Sequence, residues 1–180
     1  MKLIFSKAAS ANALESIKQL YLAAFPAHER RTFHGLKAQV ERSTNCSVNA
    51  VNTIDGVVGF YTFWDFEAFG FVEHIAIEPR FRGMKLGERT LQHIASECQK
   101  PIVLEVEPPT DEDSRRRIQF YIRNGFHLVD IPYFQPSYTN IGANTDMMLM
   151  TNSIHLSQRQ LIDAAEQIHQ VVYGHKDAAE

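Results

Sequence analysis

Residues 75–91 read Ile-Ala-Ile-Glu-Pro-Arg-Phe-Arg-Gly-Met-Lys-Leu-Gly-Glu-Arg-Thr-Leu. An apolar strand runs there into a short basic turn with glycines, and the turn runs into an amphipathic helix. Such a turn aims several backbone N–H groups and a helix N-terminus at one point. The chemistry that suits it is the binding of a phosphate or pyrophosphate. Arg82 and Lys85 add mobile positive charge to the fixed dipoles. The turn is not a P-loop, because no Gly-Lys-Ser/Thr follows at the right distance, and the Gly-x-Gly-x-x-Gly of a dinucleotide fold is absent.

A second reactive group lies just upstream. Strand alternation places Phe71, Glu73, Ile75 and Ile77 on one face and His74 on the other. A carboxylate among apolar neighbours is expected above its usual pKa, which suits a general base near neutrality. The structural alternative is a surface Glu, or one paired with a Lys or Arg.

The rest of the chain must position these groups. With 180 residues, 44% hydrophobic and 22% charged, it is long enough for one domain with its own core. The net charge of −3 gives no general nucleic-acid footprint. No apolar run approaches a membrane span, and the apolar start, Leu-Ile-Phe, is too short for a secretory signal. Cys46 and Cys98 lack metal spacing and read as free thiols of a cytoplasmic protein.

Periodicity predicts a strand at 2–6, a helix from Ala11 to Phe25 stopped by Pro26, and a second helix from Phe33 to Glu41. Strands at 46–54 and 57–64 are joined by Asp55-Gly56, and a third follows at 69–77. A helix at 87–99 with Leu91, Ile94 and Ala95 on one face precedes a strand at 102–106. The helix within 110–124 carries Ile118, Tyr121 and Ile122 and stops at Gly125. Short strands at 126–130 and 146–150 flank a long loop, Pro132 to Thr145, of the kind that is often functional. An amphipathic helix at about 157–173 closes the chain as an extension of the single domain, 1–180. The order gives an α+β fold with a mixed, mostly antiparallel sheet flanked by helices.

The turn at Arg82, Gly83, Met84, Lys85, Leu86 and Gly87 resembles the acetyl-CoA-binding motif of the GNAT (GCN5-related) N-acetyltransferase superfamily, Arg/Gln-x-x-Gly-x-Gly/Ala. Lys85 stands where that family usually has its middle glycine. Residues 117–126, Arg-Ile-Gln-Phe-Tyr-Ile-Arg-Asn-Gly-Phe, are similar to its second signature, with Ser114 and Arg117 at the usual Asn and Ala places. The text around Glu105 also looks like an uncharacterised bacterial branch of the superfamily. The resemblance covers roughly residues 45 to 130. It implies a sheet with a splayed parallel strand pair at the cofactor site, and acetyl-CoA as co-substrate without a metal. It implies direct attack by a small-molecule or peptide amine on the thioester.

That chemistry calls for a base, an N–H for the carbonyl oxygen and an acid near sulfur. The resemblance implies Glu73 as base, with His74 the lesser candidate, and Tyr121 as the acid. It places the backbone of Ile75, Ala76 and Ile77 against the acetyl group and pantetheine arm, the 82–88 turn including Glu88 on the phosphates, and Ser114 among the cofactor contacts. The loop His28-Glu29-Arg30-Arg31 would wall the acceptor pocket, with Arg30 or Arg31 binding an acidic group. Asp65 could meet an amine. Tyr138, with Tyr133 and Phe134, would cover the acceptor or pack under its loop. Arg115 to Arg117 read as a solvated helix face. A non-catalytic acyl-CoA sensor and an acyltransferase for another acyl-CoA are the rival functions, and a homodimer is a possible assembly.

Overall fold

The structure, a computed structural model, describes residues 1–8, 10–138 and 142–174. It is a mixed α+β fold whose strands pair mostly antiparallel. Contacts divide it into two compact units, Met1–Lys100 and the remainder from Pro101.

The first unit holds β1 (Ile4–Lys7), α1 (Ala11–Glu15), α2 (Lys18–Ala24), α3 (Phe33–Arg42), β2 (Cys46–Thr53), β3 (Gly56–Asp65), β4 (Gly70–Ile77) and α4 (Leu86–Cys98). Its four strands run in the order β1-β2-β3-β4, each antiparallel to the next. The single helix expected from Ala11 to Phe25 is broken at Ser16-Ile17. The Ser16 hydroxyl donates back to the Ala13 carbonyl at 2.6 Å, an alternative to the helical ladder. The apolar phase survives the break. Leu14, Ile17, Leu20 and Tyr21 join Phe33 and Leu36 in burying Val48, Ala50, Phe60 and Ala76 of the sheet. Each such side chain contributes roughly 1.5–3 kcal/mol of burial, which holds three short helices that would not form alone.

The hairpin between β2 and β3 pairs Thr53 with Gly56, so its loop is Ile54-Asp55 rather than Asp55-Gly56. The register of β3 on β4 slips by one residue. Phe63 faces Val72 and Thr62 faces His74, so Glu73 has no opposite number and forms a β-bulge.

The second unit holds β5 (Ile102–Val106), α5 (Glu112–Arg123), β6 (His127–Leu128), β7 (Phe134–Gln135), β8 (Thr145–Asp146), β9 (Met148–Thr151) and α6 (Gln158–Gln167), which continues as a π-helical turn over Ile168–Val172. β9 pairs antiparallel with β5 and β6, and β7 with β8. Asp111 and Ser114 form a reciprocal capping box that starts α5. Gly125 ends it with φ 86°, donating to the Ile122 carbonyl at 3.1 Å. Ile118 and Tyr121 are buried, whereas Ile122 is exposed, as is Ala95 on α4. The expected loop 132–145 carries β7; its residues 139–141 lie outside the described residues.

Candidate active site

The basic turn is open to solvent. After β4, one turn of 3-10 helix spans Pro79–Phe81, and Arg82 donates from its backbone to the Pro79 carbonyl at 3.1 Å. Gly83 follows with φ 79° and Lys85 with φ 58°, both left-handed, and α4 begins at Leu86. Arg82, Gly83, Met84 and Lys85 are exposed, Gly87 and Glu88 half-buried, and Leu86 is buried as the turn's anchor. The first N–H groups of α4 have no partner within the helix. Backbone donors and two mobile cations thus share one open turn, which fits a pyrophosphate. The left-handed φ at Lys85 explains why a glycine suits that place, and why a lysine there carries backbone strain.

The bulge decides what surrounds Glu73. Without it, alternation would put Glu73 on the face of Ile75 and Ile77, among apolar neighbours. With it, Glu73 turns to the same face as His74 and Trp64, and its surroundings are polar. Arg31 donates to Oε1, and the Trp64 indole N–H donates to Oε2 at 2.7 Å. The Glu73 side chain has no exposure and that of Arg31 only 10%. The Arg31 guanidinium also lies 5.7 Å from the Trp64 ring centroid. The expectations of an apolar setting for Glu73 and of His74 on the opposite face are therefore corrected.

The loop between α2 and α3 is tied down around this pair. The Tyr21 hydroxyl donates to the Arg31 carbonyl at 3.1 Å. Arg30 donates from Nε to the Phe25 carbonyl at 2.9 Å and lies over the Tyr21 ring. The His74 Nε2 contacts the Glu29 carbonyl at 3.2 Å, so that nitrogen carries the proton. Burial pushes the His74 pKa down, and the imidazole is neutral between Tyr21 and Phe25. Burial likewise pushes Cys46 up to about 12, leaving an inert thiol.

Asp65 is not brought to this network. It follows Trp64 and so points to the other face, where it pairs with Lys100. There it borders a groove of about 480 Å³ lined also by Lys7, Tyr61, Phe63, His93 and Glu97.

In the second unit Tyr121 is buried against the rings of Phe120 and Phe126. Burial pushes its pKa up to about 12, against a smaller opposing effect of Arg117. At neutral pH this phenol keeps its proton and can donate it. Ser114 uses its hydroxyl in the α5 cap, bonding Asp111 Oδ1 at 2.9 Å.

A second partly buried carboxylate, Glu105, has no counterpart among the sequence-predicted site residues. Tyr133 donates to one of its oxygens and Tyr173 to the other at 2.7 Å. Gln135 links Glu105 to the hydroxyls of Tyr138 and Tyr173. The signal was present: Glu105 is the one charged residue in the otherwise apolar strand 102–106, and such residues are rarely buried without partners. Among the described residues, no group of three or more His, Cys, Asp and Glu could hold a metal ion.

Comparison with known proteins agrees with this architecture. Residues 14–126 match the family model described as the Acetyltransferase (GNAT) family. A candidate GNAT acetyltransferase structure from Bacteroides thetaiotaomicron is 33% identical, with a TM-score of 0.88, covering 98% of this chain and 100% of that one. A candidate acetyltransferase, YjbC, of Bacillus subtilis (strain 168) is 27% identical over 85% of this chain and 79% of its own length. Arabidopsis thaliana Naa50, solved with the bisubstrate analogue CoA-Ac-MVNAL, shares the fold at 18% identity and a TM-score of 0.63, over 86% of this chain and 100% of that one. The chain belongs to the GNAT acetyltransferase family.

Proposed function

We propose that this chain is an acetyl-CoA-dependent N-acetyltransferase that passes an acetyl group directly to a small-molecule or peptide amine. The observation that carries this is the open turn at 82–88, where backbone N–H groups, the α4 N-terminus, Arg82 and Lys85 converge. These would hold the cofactor's pyrophosphate, with the backbone of Ile75, Ala76 and Ile77 along the pantetheine arm. The bound cofactor supplies the thioester. The relative Naa50 was solved with a CoA–peptide conjugate, which supports a peptide as one form of acceptor.

Tyr121 is the proton donor to the departing thiolate, the role the resemblance implies for it; its phenol carries a proton at neutral pH. Glu73 takes a different role from the one the resemblance implies. Both its oxygens receive donors and its side chain has no exposure, so it anchors Arg31 and with it the loop between α2 and α3. Glu73→Gln should then weaken acceptor binding and leave the shape of the pH–rate profile unchanged. A variant that loses the acidic limb of that profile would return the base to Glu73.

The function as a whole is tested with acetyl-CoA and a panel of amines, amino acids and peptides, reading free thiol release. Acetyl-CoA binding without turnover on any acceptor would favour a cofactor sensor.

A further inference from the structure

The groove on the Asp65 face of the sheet has no part in the acetyltransferase reading. Alternate residues of three strands form its floor. Lys7, Asn49 and Tyr61 stand in one row across β1, β2 and β3, and Ser47 and Phe63 stand in the next. The second half of α4 forms a wall through His93 and Glu97. His93 is stacked on Phe5 of β1, with ring centroids 3.7 Å apart. The volume of about 480 Å³ is that of a small-molecule site. Two of the charges in the groove, Asp65 and Lys100, neutralise each other. The other two, Lys7 and Glu97, make no hydrogen bond or ion pair among the described residues. Tyr61 is only 7% exposed, yet its hydroxyl takes no hydrogen-bond partner among the described residues either. A buried hydroxyl left unpaired costs free energy that a ligand would recover.

We propose that this groove binds a zwitterion whose ammonium and carboxylate lie several bonds apart, an ω-amino acid or a short peptide. Lys7 and the adjacent Asn49 take the carboxylate. Asn49 spends one amide N–H on Ser47 at 3.0 Å and keeps a second to give. Glu97 takes the ammonium, together with a lone pair of the Tyr61 oxygen. Burial first, and then the Glu97 charge, push the Tyr61 pKa up to about 12, which places that carboxylate near the phenol. Lys7 and Tyr61 are two strands apart, roughly 10 Å across the sheet. An α-amino acid is too short to meet both charges. A chain of several methylenes, packed on the rings of Phe5 and Phe63, spans them. A lone cation or a lone anion would leave one of the two protein charges unmet. The groove lies on the face away from Glu73 and Arg31, so its ligand is not the acceptor. The site stands whether or not the chain transfers acetyl groups.

The test uses the full-length protein without acetyl-CoA, its six tyrosines ring-labelled and the Tyr61 signal assigned by its loss in Tyr61→Phe. ε-Aminocaproate, caproate, hexylammonium and glycine are titrated at fixed ionic strength near neutral pH and followed by NMR. ε-Aminocaproate should shift the Tyr61 signal saturably. Caproate and hexylammonium each lack one charge, and glycine holds its charges too close together. All three should bind about tenfold more weakly or worse. Lys7→Met should reduce ε-aminocaproate to the affinity of hexylammonium, and Glu97→Gln should reduce it to that of caproate. Both residues are exposed, so neither variant threatens the fold. Tyr61→Phe, read by calorimetry, should lose affinity several-fold. Equal binding of the zwitterion and its singly charged analogues overturns the proposal, as do Lys7 and Glu97 variants that bind like the wild type. A Tyr61 signal that does not respond to ε-aminocaproate overturns it as well.

Discussion

At the scale of single residues, two side chains carry sharp expectations. Tyr121→Phe removes one proton donor and little volume, so kcat should fall on the order of 10²-fold while acetyl-CoA affinity holds. Steady-state kinetics beside calorimetry checks this; wild-type turnover would leave Tyr121 a packing residue. Arg31→Met strips the buried Glu73 of its cation. Because the buried carboxylate then loses its paired guanidinium, the protein should lose about 3 kcal/mol or more in urea denaturation. A loss under about 1 kcal/mol would mean the pair is solvated. Glu73 and Tyr121 were both visible in the sequence, because each sits in a recognisable local frame. The environment of Glu73 was not. Its partner Arg31 is 42 residues away, and the bulge that turns the carboxylate toward it has no signature in Phe-Val-Glu-His.

At the scale of elements, the strand–turn–helix at 75–91 was legible because a period of two gives way to a period near 3.6 across glycines. The break between α1 and α2 was not, since the apolar phase runs through it. β6 falls within the strand expected at 126–130, whereas β7, two residues inside the expected loop, was too short to announce itself by alternation. The turn yields two predictions. Gly87→Glu brings a negative side chain to the phosphate cradle and should abolish CoA binding in a folded protein, as calorimetry would show. Lys85→Gly relieves the left-handed backbone at φ 58° and should add up to about 1 kcal/mol in urea denaturation. Loss of stability there would mean that the lysine side chain makes a contact worth more than the strain.

For the molecule as a whole, the pH dependence of stability should carry a mark of His74. Burial depresses its folded-state pKa below the ordinary value near 6.5. The unfolded chain therefore takes up a proton first as pH falls. The stabilising contribution is full above about pH 6.5 and is lost progressively below it, down to the folded pKa. Thermal melts of wild type and His74→Asn between pH 5 and 8 should diverge at neutral pH and converge in acid. Parallel curves would show that burial leaves the His74 pKa unshifted between the folded and unfolded states.

The bulge in β4 makes the two faces of its sheet depend on a count of one residue. Deleting Glu73 would restore a regular ladder yet take from Arg31 the carboxylate it is paired with. Deleting Val72 would also restore it, but would hand the carboxylate the position opposite Phe63 that buried Val72 now fills. The two deletions give the same ladder in the same register and differ only in which side chain, Val72 or Glu73, stands opposite Phe63. In this strand the extra residue is what lets Val72 and Glu73 lie on opposite faces, so the number of residues between Phe71 and His74 is constrained as tightly as their identities.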